Sequence, residues 1–148
     1  MANSIQYAKT QATPITKLDT NELGGRVRMA FAEYEAATEQ STITMFSLPN
    51  GARLLSGALS HDALNSSTTL SVGYAAHTKA DGTAQALDVD EYKAAASSAS
   101  ATGSAVASTT ALGENSLVDA PDGLIVTATT AGANATGKIE VQMTYVLD

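Results

Sequence analysis

The sequence predicts an all-β protein built as an antiparallel β-sandwich, on three observations. Runs rich in Thr, Val, Ile and Leu alternate between apolar and polar residues, which is typical of strands with one buried face. Turn residues separate these runs, and Pro49-Asn50-Gly51 is the clearest turn because Pro49 fixes φ and Gly51 tolerates positive φ. About seven or eight strands at this spacing are enough for two packed sheets.

The first half of the chain contains four predicted strands. After Gly25 the sequence alternates with period two, which predicts a half-buried strand with Val27, Met29 and Phe31 on one face. The opposite face then turns Arg26 and Arg28 outward. Further strands are predicted over 42–48, 53–59 and 68–76.

The second half adds one short helix and three more strands. Asp88 is a predicted helix N-cap, and the alanine-rich run 92–101 predicts the helix that follows. Strands are predicted over 104–110, 124–130 and 138–147. A short Gly/Asn loop joins the last two strands, which predicts a closing β-hairpin.

Two regions follow from this pattern: an extended N-terminal arm, residues 1–24, and a single β-sandwich domain, residues 25–148. The arm is polar and has no clear period, so it has too little apolar surface to fold on itself. A frayed terminus and an arm lying on a neighbouring subunit are both compatible with this segment, and the second interpretation uses its apolar residues as anchors. These predicted contact residues are Ile5, Tyr7, Ile15 and Leu18.

The composition predicts a thin core. The hydrophobic fraction is 44%, but much of it is alanine, and aromatic residues make up only 5%. Alanine buries little area, so the hydrophobic gain per residue is small against the entropy lost on folding. Burial against another subunit offsets this weakness, because a partner that binds only the folded form stabilises it. We therefore expect an oligomer.

The charge and the residue types argue against several function classes. The net charge is −7 and the basic residues are scattered along the sequence, which argues against direct nucleic-acid binding. The chain has no cysteine, so it has neither disulfides nor a thiolate metal site. It shows no signal-peptide pattern and no apolar run of membrane-spanning length, so we expect synthesis and assembly inside a cell and no membrane partner.

No residue set predicts catalysis or a resident cofactor. His61 and His77 are the only histidines. The sequence has no Gly-x-Ser-x-Gly nucleophile elbow whose serine His61 and Asp62 would activate. We predict that neither histidine is catalytic and that no metal is bound.

Two groups of acidic residues leave a Ca²⁺ site open as an alternative. The denser group, between Asp81 and Glu91, has the oxygen ligands that Ca²⁺ prefers but lacks EF-hand spacing. Acids at a helix N-terminus are the favoured interpretation. The weaker group, Glu114, Asp119 and Asp122, is interpreted as turn chemistry.

The region from residue 25 to 101 resembles the small head-decorating, or cement, proteins of tailed bacteriophages. The resemblance rests on TITMFSLPNGARLLSGALSHDAL, in which an apolar strand meets a Leu-Pro-x-Gly-Ala turn, and on TTLSVGYAAH, which follows it. An Asp/Ala-rich insertion over 88–101 continues the likeness. The C-terminal strands share only its general character.

This resemblance implies a jelly-roll-like sandwich, usually trimeric, on the outer surface of a capsid, with the major capsid protein as partner and no catalytic residues. Arg26, Arg28 and Arg53 would then pair with acidic capsid residues, because guanidinium groups bind carboxylates in a bidentate manner. Solvated charges on a strand face are the simpler interpretation of the same three residues.

Two other function classes remain open from the sequence. The first is a carbohydrate- or receptor-binding β-sandwich of a phage fibre or adhesin, for which Tyr34 and Tyr92 are the candidate exposed aromatics. The second is a metal enzyme of jelly-roll type, which two histidines support poorly.

Overall fold

The computed structural model describes residues 8, 9, 11–14, 25–106 and 116–147. The predicted arm residues Ile5, Tyr7, Ile15 and Leu18 lie outside these ranges. The described residues form ten strands. These are β1 Val27–Glu39, β2 Thr42–Leu48, β3 Arg53–His61, β4 Thr69–Tyr74, β5 His77–Thr78, β6 Ala84–Gln85, β7 Asp88–Ser97, β8 Thr102–Val106, β9 Leu124–Ala131 and β10 Ala135–Val146.

Eight of these strands build two antiparallel sheets. The first sheet has the order β1-β10-β3-β8, and the second has the order β2-β9-β4-β7. Strands β5 and β6 form a small separate hairpin. Consecutive strands alternate between the two sheets everywhere except between β4 and β7, which is the strand order of a jelly roll. The predicted all-β, jelly-roll-like sandwich is confirmed.

The core lies between the two sheets and consists of side chains that point inward from the strands of both sheets. Ile139, Val141 and Met143 of β10 are fully buried, as the period-two pattern of that strand predicts. The second sheet supplies Leu70, Val72, Val126 and Ala128, and four further alanines are buried at Ala36, Ala52, Ala120 and Ala135. These alanines fit the thin core that the composition predicts.

The Pro49-Asn50-Gly51 turn is confirmed, and it joins strands of different sheets. Ala52 N donates a hydrogen bond to Pro49 O at 3.2 Å, and Gly51 has φ of +80°. That φ lies in the left-handed region, which glycine adopts without steric cost. The turn carries the chain from β2 in the second sheet to β3 in the first.

The predicted helix over 92–101 is wrong, because β7 runs through most of it as a strand. Strand β7 pairs with β4, and the pairing shifts register twice along its length. At Gly73 of β4 the two backbones approach so closely that a Cβ atom would collide with the carbonyl oxygen of Asp88. Pairing with a neighbouring strand therefore outweighs the helix propensity of the alanine run.

The predicted closing hairpin is also wrong. Strand β9 lies between β2 and β4 in the second sheet, whereas β10 lies between β1 and β3 in the first. The short loop after Ala131, in which Gly132 has φ of +84°, carries the chain across the sandwich. A short glycine-containing loop can close a hairpin within one sheet or cross from one sheet to the other, so its length does not distinguish these two connections.

Candidate interaction surfaces

The outer face of β1 carries three large apolar side chains that the core does not use. Val27 is 65% exposed, Met29 62% and Phe31 50%. The sequence-based assignment of this face to the interior is therefore wrong. We call these three residues the apolar strip.

Strand β10 explains why β1 turns its larger residues outward. On the core side, Met143, Val141 and Ile139 are directly opposite Ala30, Ala32 and Tyr34 of β1. Large side chains on β10 already fill this part of the core, so small alanines fit opposite two of them. Alternation along β1 was identified correctly, but the face that is buried was not.

The three arginines of the chain lie at the same end of the first sheet. Arg28 is opposite Tyr145, and Val146 is flanked by Val27 on one side and Arg53 on the other. Adjacent strands lie about 4.8 Å apart, so this register brings Arg53 close to the start of β1. We call Arg26, Arg28 and Arg53 the arginine end.

One residue of the arginine end shares a sheet face with the apolar strip. Val27, Val146 and Arg53 form a cross-strand row, so Arg53 lies on the same sheet face as the strip, half-buried. Arg26, just before β1, and Arg28 are exposed at the alternate positions, so they point to the opposite face of the strand. The guanidinium groups therefore border the strip at one end of β1 rather than lying within its face.

The far half of β1 has a different character. Lys138 Nζ lies 3.4 Å from Glu33 Oε2 and 3.8 Å from Glu140 Oε1. The negative charges of the two glutamates raise the pKa of Lys138 above its usual value, and Glu33 has the larger effect. All three groups are exposed to solvent. This half is a hydrated ion-pair surface, which contributes little to stability or to adhesion.

Strand β1 is also an edge of its sheet. Within the part of the chain that the structure describes, β10 is the only strand paired with it. Its 13 residues include neither proline nor lysine, the usual devices that keep edge strands from pairing with other chains. Pairing with β10 becomes irregular between Ala37 and Glu39, where Thr38 has φ of +69°.

A second feature is a cavity of about 270 Å³ at one end of the sandwich. Its walls come from the end of β4, the β5–β6 hairpin, β7 and the segment 116–119. Tyr74 is its central aromatic residue. The ring of Tyr74 lies 5.3 Å from that of His77 and 6.1 Å from that of Tyr92, both edge-on, and Gln85 Nε2 donates to Tyr74 Oη at 3.2 Å.

Neither of the two tyrosines expected to be exposed, Tyr34 and Tyr92, is exposed in the structure. Tyr92, expected to be an exposed aromatic, is only 4% exposed, and burial raises the pKa of its hydroxyl. Tyr74 and Tyr145 are half-buried and pack against the core, as predicted. Tyr34 is half-buried, and its hydroxyl donates a hydrogen bond to Glu39 Oε1.

The acidic residues near the β5–β6 hairpin support turns rather than a helix. Asp81 Oδ1 accepts a hydrogen bond from Thr83 N at 2.8 Å, and this bond lowers the pKa of Asp81. Asp88 Oδ1 accepts from Asp90 N at 3.2 Å. Among the described residues, no three His, Cys, Asp or Glu side chains are grouped so that they could hold a metal ion.

The remaining candidate residues are engaged in local structure. His61 Nδ1 lies 2.7 Å from the carbonyl oxygen of Asp62, and Asp62 Oδ2 accepts from Lys138 N at 2.9 Å. Asp119 Oδ1 accepts from Ala80 N at 3.0 Å, whereas Glu114 lies outside the described residues. No helix within the described ranges has the length and apolarity needed to cross a membrane.

Neither a protein-family model nor a curated protein matches this sequence. Solved structures that are similar include three from bacteriophage capsids. A chain in the capsid of Ralstonia phage GP4 is similar with a TM-score of 0.63 and 21% identity over 84% of this chain and 86% of the other. For the cyanophage Pam1 capsid the TM-score is 0.60, with 24% identity over 85% and 88% of the two chains.

The third similar structure is the acid-stable capsid of Helicobacter pylori bacteriophage KHP30. Its TM-score is 0.54, with 18% identity over 82% of this chain and 87% of the other. In all three comparisons the shares of the two chains are nearly equal, so the matched capsid chains are similar in size to this one. The likeness supports the jelly-roll fold for nearly the whole length of the compared chains.

Proposed function

We propose that this protein is a structural virion protein that decorates and stabilises a bacteriophage capsid by bridging neighbouring major capsid subunits. The observation that carries the proposal is that chains of the same fold and similar size occur in three phage capsids. A protein in this role needs a rigid sandwich and an adhesive surface rather than an active site. We therefore propose no enzymatic activity.

The apolar strip and the arginine end are the proposed capsid-binding surface. Contiguous exposed apolar side chains on a soluble domain mark interaction sites, and Val27, Met29 and Phe31 are such a group. Guanidinium groups at the border of the patch bind carboxylates with fixed geometry, which provides register and specificity. The partner that fits is a capsid surface with an apolar centre and an acidic border.

The arm, residues 1–24, is proposed to extend this surface. Residue 26 leads directly into β1, so the arm joins the sandwich beside the apolar strip. Ile5, Tyr7, Ile15 and Leu18 would anchor it on an adjacent subunit. Such an arm ties one copy to the next at a distance that a compact sandwich does not reach.

A homotrimer on the outer surface of the capsid completes the proposal, with assembly in the host cytoplasm. The thin, alanine-containing core supports self-association, because subunit contacts stabilise the folded form by mass action. The acidic net charge keeps free copies soluble before assembly. Neither nucleic acid nor a membrane is a proposed partner.

Rebinding to heads made without the protein tests the capsid-binding surface. The triple variant Val27→Ser, Met29→Ser and Phe31→Ser removes the strip, and we expect co-sedimentation with heads to weaken by on the order of a hundredfold. Leu87→Ser, at an equally exposed leucine away from β1, is the matched control and should bind normally. Equal binding by the triple variant and the control would exclude the strip, and no binding by the wild type would refute the decoration role.

Size-exclusion chromatography with light scattering tests the oligomer. We expect a trimer for the full chain and loss of the trimer when residues 1–24 are removed. A monomer in both cases would contradict self-association, and a trimer in both cases would contradict the role of the arm.

A further inference from the structure

We propose that the cavity between β4, β7 and the segment 116–119 binds a sugar ring, and that the protein is a carbohydrate-binding module in addition to its proposed role in the capsid. The cavity shares no lining residue with the apolar strip or the arginine end, although Leu117 pairs with Arg53 through an isolated β-bridge. At about 270 Å³ it lies just below the range of roughly 300–1,000 Å³ typical of drug-sized ligands, which suits a single ring.

The wall of the cavity contains apolar side chains that the fold holds in place. Tyr92, Val118 and Leu124 are buried there, and the ring of Tyr74 forms one wall, held by the hydrogen bond from Gln85. Leu117 lines the cavity with 52% of its surface exposed. The C–H face of a pyranose matches the accessible apolar surface that Tyr74 and Leu117 supply.

The rim supplies hydrogen-bonding groups of both kinds. Lys79 provides donors, Glu91 and Asp119 provide acceptors, and Gln85 provides both. The bond from Ala80 N to Asp119 Oδ1 orients that carboxylate at the rim. Sugar hydroxyls both donate and accept, so this mixture suits them better than a rim of donors alone or acceptors alone.

The charges at the rim argue against an anionic ligand. One lysine faces two carboxylates there, so the site carries no positive excess to attract phosphates or carboxylates. The described residues also contain no group of His, Cys, Asp or Glu that could hold a cation. A neutral polyhydroxylated ring is the ligand class that the mixed rim and the apolar wall fit together.

A weak sugar site can still give tight attachment when many copies of the protein are present on one particle. A single-ring site gives modest affinity, but many copies on one particle raise the avidity by orders of magnitude. On a capsid surface, such sites would hold the particle against glycan-coated cells. This last step depends on the proposed function, whereas sugar binding by the isolated chain does not.

Saturation-transfer NMR on the full chain tests the proposal, with glucose, galactose, mannose, N-acetylglucosamine and rhamnose as separate probes. We expect transfer to at least one sugar, and a rise in its Kd of about tenfold for Leu117→Ala and for Asp119→Asn, which is the loss of one good contact each. Leu87→Ala is the matched control, since Leu87 is 50% exposed and does not line the cavity.

Three measurements distinguish loss of the fold, absence of the sugar site and loss of capsid binding. Thermal unfolding of each variant checks that the fold is retained, and Leu117→Ala removes only an exposed side chain. No transfer to any of the five sugars overturns the proposal, as does transfer that Leu117→Ala and Asp119→Asn leave unchanged. Head binding by Asp119→Asn should equal that of the wild type, so failure of the sugar site and failure of the capsid role give different results.

Discussion

Strands β1 and β10 are neighbours in one sheet and alternate with the same period, yet they place their large apolar residues on opposite faces. Strand β10 buries Ile139, Val141 and Met143 completely. Strand β1 instead exposes Val27 and Phe31. Alternation therefore identifies the residues that share a face, but the neighbouring strand decides which face is buried. The exposed apolar face is then the one that calls for a partner outside the subunit.

The largest expected effect tests which face of β1 is inside. Ala36 is only 4% exposed, whereas the next residue, Ala37, is exposed. We expect Ala36→Asp to lower the free energy of unfolding by roughly 3–5 kcal/mol, because it buries an unpaired charge. Ala37→Asp should change it little. Urea denaturation of the two variants makes the comparison, and equal losses would show that the faces of β1 have been assigned wrongly.

The core side of β10 should be nearly as sensitive. Ile139 is fully buried and lies opposite Tyr34 of β1. Ile139→Ala leaves a cavity between the sheets, so we expect a loss of about 2–5 kcal/mol in the free energy of unfolding. Chemical denaturation measures it. A loss below about 1 kcal/mol would mean that the site collapses around the smaller side chain.

The apolar strip should contribute much less to folding than to binding. Phe31→Ala removes a large ring that is already half in solvent, so the free energy of unfolding should fall by no more than about 1 kcal/mol. Binding to heads should weaken in the same variant. A stability loss as large as that of Ile139→Ala would instead show that Phe31 serves the fold.

The ion pairs at the far half of β1 give the smallest effect. Because Glu33 and Glu140 raise the folded-state pKa of Lys138, the protonated lysine stabilises the fold below its unfolded-state pKa. That contribution is lost as the pH rises through the folded-state pKa. These groups are exposed, so Lys138→Met should leave the unfolding temperature unchanged at neutral pH within error. A clear drop at neutral pH that disappears in alkaline buffer would show that the pair matters.

Local sequence chemistry predicted the strands and the main turn well. Strand β2 has the predicted bounds, and β3, β4, β9 and β10 differ from prediction by a few residues at their ends. These segments combine β-branched residues with period two, and turn residues bound them. The jelly-roll expectation came from the resemblance, and the strand order of the two sheets bears it out.

The errors share one physical origin, which is pairing between segments distant in sequence. The run after Asp88 has helix-forming alanines, but its pairing with β4 makes it a strand. The loop after Ala131 has hairpin chemistry, but β9 and β10 pair with other strands. Propensity reports local preference, and these outcomes depend on partners that local sequence does not specify.

The candidate surfaces were only partly accessible from sequence for the same reason. Arg26 and Arg28 are close in the chain, but only the pairing of β10 with both β1 and β3 brings Arg53 to them. The cavity likewise combines Tyr74, Gln85 and Leu117, which no motif connects. The sequence shows that Val27, Met29 and Phe31 share one face of β1, but it led us to assign that face to the core.

The position of β10 between β1 and β3 also constrains how the protein is made. Strands β3 and β8 can pair earlier, but β1 has no partner in its sheet until the ribosome has synthesised residues 135–146. Folding is then a late, largely all-or-none event governed by long-range pairing, which is slow compared with folding through local contacts. Nascent chains stalled before β10 should be sensitive to proteases and should recruit chaperones.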